Sequence, residues 1–565
     1  MSRTLWLLSV LLTGCLPLGS EPAGRHVVHD RTLSSVLFAP SQSAGTPAHL
    51  LVFGQVRESL VFEYGMADLY VAPPDAPAGP ARGVDELTLL LSDARHPGPY
   101  DSRFFFEETD ARGRIVAQRA ETDAPNPAVW RVDPASAARE WLGSTFPGDP
   151  LVWRDKQITL SPKRERVVVA RPGAGWALYE ADGDSVEVPS ADEGSAGFVD
   201  EDFFYTVDDW SDSPSGEAYV SHSIRVLPPQ GRPELVATNV RMQEGFSTSR
   251  GPRLVAIGER RAGISSTPDR ALLLDPTAGE AQAISFAPLR DTWLGHSPDL
   301  QWLAWREPSG VRFFNWMTGD DVVSASSPLS SLGWRPGHGD LWFSAGSVGD
   351  MLVLGPDKAP KRIYARPHLF WVPGTTTWSL FTPSGRHWLV RDFCVSAAAT
   401  CGQEGAAWSD EAIHVGSADQ PTALPTQIAA KGVTLYRVWE LADGRIMAEG
   451  YTQDAVRSDL YLFDPRSLVT TVFPLKGFVV ATGQGRALVF ANWELGRWAG
   501  RLVLLDLATG EETELAESAY DARVDPGSFA DAPPEDRLAP GTRVAYLVRH
   551  HIDSEWDGLW VAQLP

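Results

Sequence analysis

The chain has 565 residues, of which 43% are hydrophobic and 10% aromatic, and its formal net charge is −23 at pH 7. This hydrophobic content excludes a disordered chain, because disordered segments carry too little apolar surface to form a core. The negative charge argues against a nucleic-acid partner and against binding to an anionic lipid surface. We therefore expect a folded, acidic protein with a large core.

The N-terminus has the parts of an export signal. Arg3 supplies a positive charge, residues 5–12 form an apolar run, and Thr13 and Gly14 are small residues that precede Cys15. The apolar run is much shorter than the roughly 20 residues that a membrane-spanning helix needs. We predict that residues 1–14 are a signal peptide and not an anchor.

The segment LTGC at residues 12–15 resembles the lipobox of bacterial lipoproteins. The resemblance implies that diacylglycerol alkylates the sulfur of Cys15 and that a peptidase then cuts before it. Several acyl chains on one residue would give stable anchoring, with residues 15–29 as lipidated Cys and tether. Leu16 stands where this family has Asp for inner-membrane retention, so the resemblance favours the outer membrane in a Gram-negative host. The alternative is an ordinary signal peptide that contains a cysteine.

The other two cysteines, Cys394 and Cys401, lie in a segment of small residues. An exported compartment permits oxidation, so we predict a disulfide between them, with two free thiols as the alternative. A metal site would need more ligands than two sulfurs, and no histidine lies between the two cysteines.

A short apolar strand recurs along the chain, often opened and closed by Asp, Pro or a small residue. The clearest copies are residues 68–71, 271–275, 459–464, 501–506 and 557–561, and weaker copies are centred near Trp130, Tyr179, Arg225, Phe313, Leu352 and Ile413. The eleven copies recur about every 49 residues. A repeat of this length is typical of a propeller blade.

Turn signals flank many of these strands. The segments DPTAGE at 275–280, NWMTGD at 315–320 and DLATGE at 506–511 begin with Asp or Asn and have Gly near the end, as tight strand connections require. Segments such as SPDLQWLAW at 297–305 read as a turn followed by a strand. Each period thus contains about four strands and no amphipathic helix, which predicts an all-β chain.

With these motifs the chain resembles the TolB-type propeller repeats of bacterial periplasmic proteins. The resemblance implies a β-propeller body of about eleven four-stranded repeats. Single propellers typically have four to eight blades, so we predict two consecutive propellers, residues 30–290 and residues 291–565. One large propeller with inserted hairpins is the alternative.

Most of the 21 tryptophans fall in or near predicted strands, where their side chains would pack between blades. Trp210, Trp493 and Trp498 lie in more polar stretches. We predict these three as the candidate binding residues of an exposed face.

The sequence contains no catalytic motif: it lacks the Gly-x-Ser-x-Gly elbow of propeller peptidases, the zinc motif His-Glu-x-x-His and a phosphate-binding loop. The densest groups of histidine and carboxylate are HVVHD at 26–30 and HHID at 550–553, and DDWSD at 208–212 is an acidic segment. Scattered surface side chains explain each group better than a metal site does, so we predict no catalytic residue, metal or cofactor.

Two functions remain open. The first is a lipid-anchored, extracytoplasmic binding or scaffold module whose partner is an envelope protein, a peptide or a polysaccharide. The alternative is a propeller glycosidase or lyase that acts on extracellular glycans, with carboxylates supplied by different blades. We favour the first, because the lipobox and the repeats are present and catalytic motifs are absent.

Overall fold

The structure is a computed structural model. It describes residues 21–40, 48–59, 65–72, 81–96, 109–120, 126–145, 158–171, 175–180, 183–188, 196–212, 218–258, 270–278, 280–285, 293–307, 310–324, 328–345, 350–354, 361–364, 381–392, 412–420, 423, 426–429, 433–452, 458–494, 498–527, 538–550 and 554–565. These residues form forty β-strands and one short 3-10 helix, Val84–Glu86. Nowhere in these ranges is there a helix long and apolar enough to cross a membrane. The prediction of an all-β chain is confirmed.

The strands follow one another closely along the chain. The first twelve are β1 Arg25–Val28, β2 Ser35–Ala39, β3 His49–Phe53, β4 Met66–Ala72, β5 Thr88–Arg95, β6 Ile115–Arg119, β7 Ala128–Val132, β8 Arg139–Ser144, β9 Ile158–Leu160, β10 Arg166–Arg171, β11 Gly175–Glu180 and β12 Ser185–Val188. The next sixteen are β13 Ala196–Val199, β14 Asp202–Asp212, β15 Ala218–Leu227, β16 Glu234–Thr238, β17 Val240–Thr248, β18 Gly251–Gly258, β19 Arg270–Asp275, β20 Glu280–Ser285, β21 Trp293–His296, β22 Trp302–Glu307, β23 Gly310–Asn315, β24 Asp321–Ser324, β25 Pro328–Trp334, β26 Leu341–Ala345, β27 Asp350–Leu354 and β28 Lys361–Tyr364. The last twelve are β29 His387–Asp392, β30 Ala412–Ser417, β31 Thr426–Ala429, β32 Val433–Glu440, β33 Ile446–Thr452, β34 Ser458–Asp464, β35 Val469–Gly483, β36 Arg486–Glu494, β37 Ala499–Asp506, β38 Glu512–Val524, β39 Arg543–Val548 and β40 Gly558–Gln563.

Packing divides the chain into two compact units. The first unit combines Met1–Leu142 with Pro474–Pro565, and the second is Gly143–Phe473. In the first unit β1 pairs antiparallel with β40, with Arg25 opposite Val561, so the early and late parts of the chain share a sheet. The boundary predicted at residue 290 lies within the second unit and outside the described residues, and the two consecutive rings stay a prediction.

The second unit contains a series of separate antiparallel sheets. Five of them have four strands each, in the orders β9 to β12, β13 to β16, β17 to β20, β21 to β24 and β25 to β28, and β29 to β31 form a three-stranded sheet. Within each four-stranded sheet the chain order equals the spatial order, because every strand pairs with the next one along the chain. Successive meandering sheets of four strands are the blades of a propeller.

The recurring strand of the sequence is the third strand of a blade. In the five four-stranded sheets, the copies near Tyr179, Arg225, Ala271–Asp275, Phe313 and Leu352 form β11, β15, β19, β23 and β27. The remaining six copies also fall on strands, namely β4, β7, β30, β34, β37 and β40. A third strand has a hydrogen-bonded neighbour on each side, and both faces pack in a propeller, which explains its nearly continuous apolar sequence.

The hydrophobic core lies between neighbouring sheets. One cluster joins Phe204 and Ile224 of the β13–β16 sheet to Leu254 and Leu274 of the β17–β20 sheet. Another joins Phe313 of the next sheet to Leu341 in the sheet that follows it. Each blade therefore buries apolar side chains against the blades beside it, and the stability of one blade depends on its neighbours.

The predicted turns form as their sequences require. The Oδ1 atom of Asp275 accepts hydrogen bonds from the backbone of Thr277 and Ala278, and Oδ1 of Asp506 does the same for residues 508 and 509. Gly510 has a φ of 77°, a backbone conformation that glycine adopts without steric cost. These local hydrogen bonds confirm the turn prediction.

Candidate functional site

Some of the predicted residues lie outside the described residues. Cys15 falls in segment 1–20, and Cys394 and Cys401 fall in segment 393–411. The lipidation and the disulfide therefore stay predictions. Trp210 lies on β14 together with the acidic segment 208–212, but only the backbone of this part of the strand is described.

The structure separates the other two candidate tryptophans. Trp493 is 8% exposed and packs against Phe478 and Phe490, with ring centroids 4.7 and 5.1 Å away. Its ring belongs to the core, so its faces are not available to a ligand. Trp498 is 64% exposed and lies in the turn between β36 and β37. It is the candidate that the structure leaves at the surface.

The two histidine-rich segments come together where β1 joins β40. Asp557 is fully buried, and it accepts hydrogen bonds from Nδ1 and the backbone nitrogen of His550 at 2.8 and 2.7 Å. Nε of Arg31 lies 3.0 Å from the same carboxylate. Nε2 of His26 lies 3.1 Å from the backbone oxygen of Asp557, and the His26 ring stacks on Trp560. We call Arg31, His550 and Asp557 the Asp557 latch.

The latch joins the segment after β1 to the segment before β40, and its side chains are not arranged as metal ligands. Burial is the largest cause that lowers the pKa of His26, so its imidazole is neutral at neutral pH. Across the described ranges, no group of three or more His, Cys, Asp or Glu side chains could hold a metal ion. His551 and Asp553, which the sequence placed in the same group, lie outside those ranges. Loss of Arg31 or His550 would leave the buried carboxylate of Asp557 uncompensated, so the latch holds this junction only while both partners are present.

Strand register brings several polar segments to one end of the first unit. Gly500 on β37 pairs with Ala519 on β38, and Ala519 pairs with Val548 on β39. The turn that carries Trp498 therefore lies at the same end as the middle of β38 and the 550–557 connection. The hydroxyl of Tyr520 donates to the backbone oxygen of Leu33, which adds the link between β1 and β2. We call this end the Trp498 end.

A polar cluster lies beside these turns, where β38 meets β2. Oδ2 of Asp521 accepts hydrogen bonds from the hydroxyl of Ser35 at 2.8 Å and from the backbone of Val36 at 2.9 Å. Oδ1 accepts from the backbone of Ala522 at 3.0 Å and lies 2.9 Å from Nη1 of Arg523. The carboxylate is thus held on both oxygens, and it ties the sheet of β38 to the sheet of β2.

His96 completes this cluster. It follows β5, its ring contacts Phe53 edge-on with a centroid distance of 5.4 Å, and Phe53 is the cross-strand partner of Ser35. The ring lies within electrostatic range of Asp521 and Arg523. Burial lowers the pKa of His96 to about 4, so the imidazole is neutral at neutral pH. We call Ser35, Phe53, His96, Asp521 and Arg523 the Asp521 cluster.

Two nitrogen atoms of the Asp521 cluster are buried without a hydrogen-bond partner in the described structure. They are Nε2 of His96 and Nε of Arg523. The side chain of Arg523 keeps 16% of its surface exposed, and that of Asp521 keeps 13%. Buried polar atoms are nearly always paired, so an unpaired set in one place points to a bound molecule or water.

An exposed ion-pair network adjoins the cluster. Nη2 of Arg57 lies 2.7 Å from Asp68 and 2.8 Å from Asp93. The backbone nitrogen of His96 donates to Gly65 in the loop beside this network. Hydrogen bonds from Arg57 and from the Asp93 backbone hold the pKa of Asp68 below its usual value, against the opposing effect of burial. Both carboxylates are therefore paired with Arg57.

The sequence did not reveal the Asp521 cluster. Its residues come from four separate segments, and only Asp521 and Arg523 are near each other in the chain. The one available signal is the alternation of charged and apolar residues in YDARVD at 520–525, which is unusual for a strand that meets a neighbouring sheet. Chain order alone could not show that Ser35 and His96 meet this strand.

No family model matches the chain, and no curated protein matches it. Solved structures do match. The propeller domain of the Trilobed protease from Pyrococcus furiosus is 8% identical, with coverage of 78% of this chain and 95% of that chain and a TM-score of 0.25. TolB from Acinetobacter baumannii is 12% identical, with coverage of 56% and 78% and a TM-score of 0.21. An oligogalacturonate lyase is 12% identical, with coverage of 64% and 96% and a TM-score of 0.25.

Similarity at these identities concerns the fold alone, and scores this low carry no argument about activity. The four-stranded antiparallel sheets themselves establish the β-propeller fold. The function has to be inferred from the residues at the Trp498 end.

Proposed function

We propose that this protein is a lipid-anchored, extracytoplasmic binding module whose propeller body binds an envelope protein or polysaccharide at the Trp498 end of the first unit. Anchoring is inferred from the LTGC segment at residues 12–15, and the outer membrane is the expected location in a Gram-negative host. The propeller fold supplies a rigid frame for a binding surface.

The state of the carboxylates supports binding over hydrolysis. Both oxygens of Asp521 are occupied, and Asp68 and Asp93 pair with Arg57. A glycosidase needs one carboxylic acid that can donate a proton and a second carboxylate that attacks or activates water. Carboxylates that are paired with arginine serve to position those donors. Nitrogen atoms left unpaired beside a fixed carboxylate suit recognition of a ligand.

The anchoring part of the proposal is tested by replacing the one sulfur that it needs. Cys15→Ser should abolish incorporation of labelled fatty acid into the protein expressed in a bacterial host that lipidates exported proteins. Cys394→Ser is the matched control, because it removes a thiol outside the lipobox and should leave labelling unchanged. Normal labelling of the Cys15→Ser variant would contradict the proposal.

The binding part is tested by gentle cross-linking in envelope extracts followed by purification of the full-length protein. Arg523→Lys keeps a positive charge beside Asp521 but removes the Nε–H donor, and it should reduce enrichment of the partner. Arg171→Ala, which removes an arginine of the second unit paired with the exposed Glu187, should not. Equal enrichment by all three proteins, or no enrichment by the wild type, counts against this site.

A further inference from the structure

We propose that the Asp521 cluster binds a neutral, hydroxyl-rich ligand and that the partner of the protein is therefore an uncharged polysaccharide. This inference rests on the proposed binding function and narrows it to one chemical class. It starts from two of the buried polar atoms that have no hydrogen-bond partner in the described structure, Nε2 of His96 and Nε of Arg523, because these two belong to the same cluster.

The unused groups include both a donor and an acceptor. Nε of Arg523 carries a hydrogen and can only donate, while one nitrogen of a neutral imidazole accepts and the other donates. The structure describes no hydrogen bond to either ring nitrogen of His96, and the guanidinium of Arg523 bonds only through Nη1. A sugar hydroxyl accepts one hydrogen bond and donates another, so neighbouring hydroxyls can satisfy arginine and histidine together.

The charge of the cluster favours an uncharged ligand. The positive charge of Arg523 is already paired with Asp521 at 2.9 Å, and buried His96 is neutral. The acidic chain, with its net charge of −23, repels polyanions at a distance. A uronate or phosphate would add a negative charge beside Asp521, and the adjoining Arg57 already pairs with Asp68 and Asp93.

The position of the cluster also suits a chain of sugars. Ser35 starts β2, His96 follows β5 and Asp521 lies in β38, so the contacting groups come from strands, or from the residue directly after a strand, in the first unit. Strands linked by backbone hydrogen bonds hold these side chains more rigidly than loops would. A rigid set of donors and acceptors distinguishes sugars by the orientation of their hydroxyls, because an unmatched buried group costs free energy.

The test uses the full-length protein in detergent and an array of neutral oligosaccharides, with tetragalacturonate as the anionic probe. Binding is measured by isothermal titration calorimetry for each neutral probe that the array retains. The variants are His96→Phe, which keeps the ring against Phe53 but removes both nitrogens, and Arg523→Lys. The control is His49→Phe, which removes a half-buried imidazole on β3 of the same sheet. His49 lies at the far end of that strand, opposite Ala39.

We expect at least one neutral oligosaccharide to bind. His96→Phe and Arg523→Lys should each raise its Kd about tenfold, the effect of losing roughly one hydrogen bond. His49→Phe should leave the Kd unchanged, and tetragalacturonate should bind more weakly than the neutral probe. Melting temperatures of all variants establish that each protein is folded.

Three results would overturn the inference: no binding of any neutral probe, tighter binding of tetragalacturonate, or wild-type affinity in both cluster variants. If the wild type enriches an envelope protein by cross-linking but binds no neutral probe, the proposed function stands and this narrower inference fails. If it enriches no partner and binds no probe, both fail.

Discussion

Two arginines of the molecule are held in opposite ways. Arg166, at the start of β10 in the second unit, is 1% exposed and bonds through every nitrogen of its guanidinium. It reaches Glu180 in its own sheet and the backbone oxygens of Glu201 and Leu227 in the next sheet. Arg523 in the first unit bonds through Nη1 alone and leaves Nε buried without a partner.

This difference distinguishes an arginine that stabilises the fold from an arginine that can bind a ligand. Arg335 repeats the arrangement of Arg166, because it donates to the backbone of Gly385 and Ala418 in the sheet that follows its own. In both cases the arginine joins two blades and has no capacity left for a ligand. An arginine with unused donors stabilises its surroundings less and can serve an external molecule.

Removal of Arg166 should have the largest effect on stability. Arg166→Met removes the donor that bonds Glu180 and three backbone carbonyl oxygens, which costs about 3 kcal/mol. Arg171→Met is the matched control on the same strand, because Arg171 pairs with the exposed Glu187, and it should cost less than about 1 kcal/mol. Calorimetric unfolding measures both variants. Equal stability of the two variants would contradict the distinction between a buried arginine that joins two blades and an arginine in a surface ion pair.

The next largest effect should be a pH dependence of stability caused by the titration of His96. Its pKa is about 4 in the folded protein and 6.5 in the unfolded chain. Below pH 6.5 the unfolded chain takes up a proton that the folded protein does not, so stability falls as the pH drops from 6.5 to 4 and levels off below that. This single group can account for up to about 3 kcal/mol.

His96→Phe removes this titration. Unfolding of the wild type and the variant in guanidinium chloride at several pH values gives the difference between their stabilities. The difference should change between pH 6.5 and 4 in favour of the variant and stay constant from pH 7 to 8. A constant difference over the whole range would mean that His96 is accessible to protons in the folded state.

The sequence predicted features that depend on residues close together in the chain, and it missed features that depend on residues far apart in the chain. The recurring strands and their turns were predictable because their signals are local, such as the Asp506 side chain that bonds its own turn. The burial of Trp493 was not predictable from the sequence. Asn492 beside it has a φ of 53° and the register of β36 shifts here, and the ring of Trp493 packs against Phe478. A polar neighbourhood in the sequence did not predict which way the ring points.

The Asp521 cluster was beyond prediction for a similar reason. Ser35 and Asp521 are separated by most of the chain, and they meet only because β1 pairs with β40 and brings β2 beside β38. Local sequence patterns do not identify the polar residues that this pairing places together. Without aligned homologues, a sequence cannot show which of many charged residues are neighbours.

Replacement of Trp498 should give the smallest change in stability. It also contrasts a residue that stabilises the fold with a residue that binds a partner. Trp498 has a φ of 52° and is 64% exposed, so a large side chain occupies a strained backbone position without packing in return. Asn tolerates this backbone conformation better, and Trp498→Asn should raise stability by about 0.5 kcal/mol. Calorimetric unfolding measures the change, and a loss of more than about 1 kcal/mol would mean that the ring packs.

Leu468 provides the matched control for this variant. It has a φ of 59°, is 60% exposed, and its backbone nitrogen donates to the residue four positions earlier, as that of Trp498 does. It lies in a turn between β34 and β35, in the second unit. Leu468→Asn should give the same gain in stability and leave partner capture intact, whereas Trp498→Asn should reduce capture. If replacement of Trp498 raises stability and weakens capture, its side chain serves binding of the partner and not folding. Equal capture by both variants would mean that Trp498 is not part of the binding surface.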